Sequence, residues 1–216
     1  MNIIAIDTST NHASVSLFSN GNIYTNTRLL PRQHNKHLLD MINKLTIDAK
    51  IKKTEISVLS YGVGPGSFVG VRLSAAIIQA MSLVTNAPVV GFSSMKSIAM
   101  HRYRVSKQKN ILVVLNAMMG DVYWGYYKFN QSTKNWDTVS EQCCDIQTFI
   151  KIKSEINYDI CVGDFIGDMI IPDETSYIPD TQYMLDIILY KLNNQSGSLV
   201  DDMPVYMQGT KQWNKL

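Results

Sequence analysis

The sequence is poor in the features that staple, anchor or metallate a chain. It has 3 cysteines in 216 residues, Cys143, Cys144 and Cys161. Two are adjacent and the count is odd, which argues against a disulfide framework. Neither C-x-x-C nor C-x-x-H occurs, so no structural zinc site is predicted. A chain of this length buries on the order of 70% of its unfolded surface and folds without such aids. No run approaches the ~18 apolar residues of a membrane span, and MNIIAIDTST lacks the charged start of a signal peptide. These absences predict a soluble, cytoplasmic protein with reduced thiols. Catalytic signatures are missing too: there is no Gly-Lys-Ser/Thr for a Walker A loop, no G-x-G-x-x-G spacing and no G-x-S-x-G elbow.

Acidic residues are scarce in one half. Residues 1–120 hold 13 Lys and Arg against four carboxylates, Asp7, Asp40, Asp48 and Glu55, and none lies between Ile56 and Gly120. Residues 121–216 hold 14 carboxylates, 7 Lys and no Arg. A formal charge of +2 therefore hides +9 against −7. Such asymmetry fits an anionic partner for the first half, two mutually attracting lobes, or a basic surface that meets an acidic subunit.

Periodicity predicts two lobes. Asn2–Asp7, Ala13–Leu17 and a run after the Asn20-Gly21 turn read as strands. Leu38, Leu39, Ile42 and Leu45 predict an amphipathic helix from His34 to about Ala49. Ile56–Val63 reads as a buried strand, Val69–Val84 as a helix apolar on nearly every side, and Pro88–Phe92 as a strand. A helix capped by Ser93 or Ser94 is predicted to reach about Tyr103, followed by a polar link, Arg102–Asn110. The second half predicts strands at Asn110–Asn116 and Val122–Phe129, a helix at Asp145–Lys153, a strand at Tyr158–Val162 and a helix at Gln182–Asn193. The order predicts an α/β protein with a mixed sheet in each lobe.

Three motifs could carry chemistry. Asp7-Thr8-Ser9 ends a strand, where a carboxylate and hydroxyls hold Mg²⁺ through water and bind phosphate, or merely close a turn. No Lys or Arg precedes Arg28, so this loop has no cation of its own for phosphate. Gly62, Gly64, Gly66 and Gly70 surround Ser67 between a strand and a helix, which suits an anion at the helix N-terminus or a tight connection. His34 and His37 share a helix face and suit a metal, or else solvent or a partner. A Ser67–His34–Asp7 triad remains open, while Cys143 and Cys144 read as packing residues. The surplus apolar surface of the second helix, beside the first, makes the pair a protein-interface candidate.

IDTST, RQHNKHLLDMI, YGVGPGSFVGVRL, NAMMGDVYW and PVYMQ, in that order, resemble the TsaB (YeaZ) family, with GPGSFxGxR the most specific element. That resemblance implies a two-lobed actin/hexokinase-like (ribonuclease H-like) α/β fold, each lobe a mixed sheet with helices. It implies an N-terminal lobe, 1–104, carrying dimerisation helices, and a smaller degenerate lobe, 105–216. It further implies a non-catalytic scaffold for threonylcarbamoyl transfer to adenosine 37 of tRNAs reading ANN codons. Implied partners are a TsaD homologue in a heterodimer, the TsaE ATPase in a ternary complex, and a second copy when alone; tRNA is met only indirectly. No catalytic residue, metal or cofactor is expected, because the His-x-x-x-His of TsaD is absent. Asp7, Thr8, Ser9, Gly64, Gly66 and Ser67 are then vestigial nucleotide-binding candidates. His34, His37, Leu38, Leu39, Ile42, Arg72, Leu73, Ala76, Ile77 and Ala80 are partner-interface candidates. Val69, Asn116, Met118, Asp121, Met207 and Gln208 depart from the usual family residues. The alternatives are an actin-like ATPase using Asp7, Ser9 and Gly64–Ser67, a glycoprotease-type metallopeptidase using His34 and His37, and direct tRNA binding by the basic half.

Overall fold

The computed structural model describes residues 1–132, 135–164, 177–194 and 204. Met207 and Gln208 lie outside the described residues. The chain divides into two compact units, Met1–Ser97 with Ile178–Val205, and Ile98–Tyr177 with Tyr206–Leu216. This division differs from 1–104 and 105–216. The α3 helix defined below runs through residue 104 without a break, and the segment from Ile178 packs on the first sheet.

In the first unit, β1 (Ile3–Asp7), β2 (His12–Ser19), β3 (Asn22–Leu29), β4 (Val58–Gly62) and β5 (Val89–Phe92) form one sheet in the order β3-β2-β1-β4-β5. β1 pairs antiparallel with β2 and parallel with β4. Every residue of β1 and β4 is buried, because both faces of the sheet are covered. Helices α1 (His34–Asp48) and α2 (Phe68–Thr85) cover one face, closing a core around Ile4, Ile6, Val15, Leu38, Leu59 and Ile78. A 3-10 turn, Thr181–Met184, and helix α5 (Leu185–Asn194) pack on β1, β2 and β5. A chain of hydroxyls holds that turn: Thr181 Oγ1 lies 2.7 Å from Ser16 Oγ and 3.1 Å from Ser14 Oγ.

By length and composition α2 could cross a membrane, contrary to the sequence expectation, and 28% of it is buried. Its inner side, Gly70, Val71, Ser74, Ala75 and Ile78, packs into the domain. Its polar contacts to β1, described below, hold it there as a surface helix of a folded unit.

Helix α3 (Ser94–Ser106) leads to the second unit, where β6 (Asn110–Met118), β7 (Asp121–Asn130), β8 (Asn135–Asp145) and β9 (Ile160–Gly163) order as β8-β7-β6-β9. Helix α4 (Ile146–Glu155) packs Phe149 on Leu112, Val114 and Trp124. Asp145 caps it through Thr148 N–H, 2.9 Å away. The path β6–β7–β8–α4–β9 repeats β1–β2–β3–α1–β4, the looser copy that the pattern predicts. Sequence analysis had not predicted β8, whose polar and charged residues break the alternation of a half-buried strand. Cys144 is buried on it, and Cys143, half-buried, has its thiol pushed up to about 11 by burial, Asp121 and Cys144.

Candidate functional site

Asp7 closes β1 in a fully buried position. Its Oδ1 accepts from Ser9 N–H at 2.8 Å and from the Ser9 hydroxyl at 2.6 Å, the Asx-type closure of a turn. Its Oδ2 is sealed from solvent without a well-formed partner, and so is the neighbouring Ser94 Oγ at the start of α3. Both crowd Gly62: a Cβ there would lie 2.0 Å from Asp7 Oδ2 and 2.6 Å from Ser94 Oγ. Burial pushes the Asp7 carboxyl above its ordinary value, and the hydrogen bonds from Ser9 only partly oppose this.

The glycine turn closes on that same loop. Ser67 N–H donates to Ser9 O at 2.6 Å, and the Thr8 hydroxyl donates to Gly70 O at 2.7 Å. Thr8 Oγ1 also lies 2.6 Å from Ser74 Oγ. Gly66 and Gly70 are required by contact, since a Cβ would meet Ser9 O at 2.6 Å and Thr8 O at 1.8 Å. At the N-terminus of α2, Gly70 N–H is capped by Ser67 Oγ, and Val71 N–H donates to Ser67 O at 2.9 Å. Ser94 N–H donates to Gly64 O at 2.9 Å. The structure thus brings Asp7, Thr8, Ser9, Gly64, Gly66 and Ser67 together, with hydrogen bonds that run among them and on to Gly70, Ser74 and Ser94. Their arrangement is a clasp between β1 and α2.

His34 belongs to a different cluster. Its Nε2 is buried without a hydrogen-bond partner, beside the backbone of His12 and Asn11. Burial lowers the pKa of both His34 and His12, and His34 lowers His12 further. Asp7 bonds Ser9, and Ser67 bonds Ser9 and Gly70, so no hydrogen bond links either to His34 as a triad. His37 is half-buried. Among the described residues no group of three His, Cys, Asp or Glu side chains is placed to hold a metal ion.

The interface candidates divide. Leu38 and Ile42 are buried in the chain's own core and cannot meet a partner, a correction to the expected surface. The periodic stripe of an amphipathic helix marks the side turned to its own sheet, and the partner side is the complement. Leu38→Ala therefore costs about 2–5 kcal/mol of stability, measured by urea unfolding. Leu39, Arg72, Ala76 and Ala80 are exposed, while Leu73 and Ile77 are half-buried. The structure adds residues that were not among the interface candidates: Val69 is 75% exposed, Leu83 85% and Val84 72% on α2, and Ile47 is 72% exposed on α1. Arg72 stacks over the exposed Phe68 ring at 3.7 Å. Asn116 N–H donates to Asp164 Oδ2, and Asn116 Oδ1 accepts from Met118 N–H at an exposed hairpin tip. The sequence pattern marks Ser94 only as a helix cap and Gly62 only as part of the glycine turn; their place beside Asp7 arises from tertiary packing.

Asp7 gives a pH test. With its folded pKa raised, stability is complete below the unfolded value of 3.8 and is lost as pH rises toward the folded value. Asp7→Asn keeps an acceptor for Ser9, offers Ser94 Oγ a donor and removes the buried acid. The variant should melt higher than the parent at pH 7 and match it near pH 3 in calorimetry.

Residues 25–164 match the family model described as TsaD: tRNA N6-adenosine threonylcarbamoyltransferase. The tRNA threonylcarbamoyladenosine biosynthesis protein TsaB of Buchnera aphidicola subsp. Schizaphis graminum is 38% identical over 130 residues, 60% of this chain and 62% of that protein. The chain thus aligns with about three fifths of that relative's length. The protein of the same name from Haemophilus influenzae is 25% identical over 230 residues, 100% of this chain and 97% of its own. YeaZ from Pseudomonas aeruginosa superposes with a TM-score of 0.81 at 23% identity, covering 95% of this chain and 99% of that one. That likeness gives the fold, the two-lobed actin/hexokinase-like α/β architecture. The chain belongs to the TsaD family, in its TsaB (YeaZ) branch.

Proposed function

We propose that the chain is a non-catalytic subunit of tRNA threonylcarbamoyladenosine biosynthesis that pairs with a TsaD-type subunit through the outer sides of α1 and α2. In this reading TsaE joins the pair, tRNA is met through the complex, the protein is cytoplasmic, and a second copy takes the partner's place when the chain is alone.

The observation that carries this reading is the outer side of α2. Val69, Leu73, Ala76, Ala80 and Leu83 recur at alternating spacings of four and three residues, the seam of a helix that packs on another helix. Leaving such a stripe in water is unfavourable at roughly 25 cal/mol per Å² of apolar surface, so it calls for a cover. Ala76 lies midway between Val69 and Leu83, so the seam is nearly self-complementary about Ala76, as a two-fold pair requires. Leu39 and Ile47 are the exposed large apolar residues of α1.

The clasp supports the non-catalytic part. Of the backbone donors at the start of α2, Ser67 N–H is engaged by Ser9, and Gly70 and Val71 N–H by Ser67. A reaction mixture of TsaD-type subunit, TsaE, threonylcarbamoyl-adenylate and tRNA tests it. Transfer should depend on adding this chain, and Asp7→Asn should support it fully; transfer without the chain, or its loss in Asp7→Asn, sinks the reading.

A further inference from the structure

The pairing face is unevenly charged. On α1, α2 and the turn that opens α1, the exposed cations Arg32, Lys36, Lys44 and Arg72 face only two exposed carboxylates, Asp40 and Asp48. Helix α2 has no acid, and none occurs from Ile56 to Gly120. The first turn of α1 also lacks an acid, and Gln33 gives it no side-chain cap. Arg32 and Lys36 therefore add to the positive end of the helix dipole. The stacking of Arg72 on Phe68 holds another cation on the exposed first turn of α2.

Two copies paired through this face set like charge near like charge, which weakens association. A different chain with carboxylates opposite these cations gains attraction where the second copy meets repulsion. Between Arg72 and the end of α2 the face is apolar, with Ala76, Ala80 and Leu83 exposed. That stripe suits a protein helix and offers nothing to a phosphate backbone.

We propose that the α1/α2 face is matched to a protein partner whose own pairing face carries an excess of carboxylates, and that this charge match lets the partner displace the second copy. The inference rests on the pairing reading above and adds the partner's chemistry to it.

The test is sedimentation equilibrium of the full chain, alone and with the TsaD-type subunit of the same organism, from about 50 to about 500 mM NaCl. Screening should tighten the self-pair about threefold or more and weaken the mixed pair by a similar factor. Lys36→Glu balances the charge of the face and suits the start of α1, so it folds; circular dichroism checks this. It should shift the ratio of the two dissociation constants about tenfold toward the self-pair. If neither pair forms, the pairing reading itself fails. If both form but respond to salt in the same direction, or Lys36→Glu leaves the ratio unchanged, pairing stands and the charge match is wrong. Binding of tRNA by the isolated chain that Lys36→Glu abolishes would also overturn it, assigning the face to a nucleic acid.

Discussion

Ala76→Glu should leave the fold intact and abolish pairing, both with a second copy and with a TsaD-type subunit. Ala76 sits at the centre of the α2 seam and is exposed in the single chain. In the unpaired protein the glutamate reaches water, and the lost helix propensity is a few tenths of a kcal/mol. On pairing, the carboxylate would be buried against an apolar helix, and Arg72, one turn away, is held over the Phe68 ring. An unpartnered buried charge costs about 3–5 kcal/mol, which is more than a hundredfold in the dissociation constant. Val139→Glu, at an exposed position on β8 in the second unit, is the matched control and should change nothing. Circular dichroism melts and light scattering separate loss of fold from loss of pairing. A fully paired Ala76→Glu would remove α2 from the interface.

Gly70→Ala should destabilise the first unit by about 3 kcal/mol or more, lowering the melting temperature by roughly 6–12 °C. The added methyl would lie 1.8 Å from Thr8 O, a backbone atom that cannot turn aside. Relief requires moving α2 off β1, which stretches the Thr8–Gly70 and Ser67–Ser9 hydrogen bonds together. Alanine's better helix propensity recovers only about 1 kcal/mol. Gly21→Ala is the useful contrast. That glycine has φ +78° and open space around it, so only backbone strain of about 1–2 kcal/mol is expected. Equal melts for the two variants would show that the clasp does not hold the unit together.

The sequence made most of the fold legible because the elements carry strong local signals. The Leu38–Leu45 stripe gives α1, the Asn20-Gly21 turn gives the first hairpin, and the Gly64–Ser67 turn gives the start of α2. The edge strand β8 was not legible, since its polar residues look like a loop until β7 pairs with them. The site was legible in part. Asp7 to Ser9 and Gly64 to Ser67 stand out in the sequence, but whether they cradle a ligand or each other depends on distances that no motif encodes. For the proposed interface the sequence marks the helix pair, but it does not separate inner from outer residues. Leu38 and Ile42 are apolar for the sake of their own core, while Val69, Leu83 and Ile47 are the apolar residues left outside. Helix α2 is apolar all round, so its sequence alone does not say which side is buried.

The most direct measurement of the central claim is light scattering coupled to size exclusion, on this chain alone and mixed with the TsaD-type subunit of the same organism. The account predicts a self-pair that disappears on mixing as a one-to-one complex forms, and no complex with Ala76→Glu. A chain that stays apart from the subunit would contradict it, and so would a complex that Ala76→Glu leaves intact.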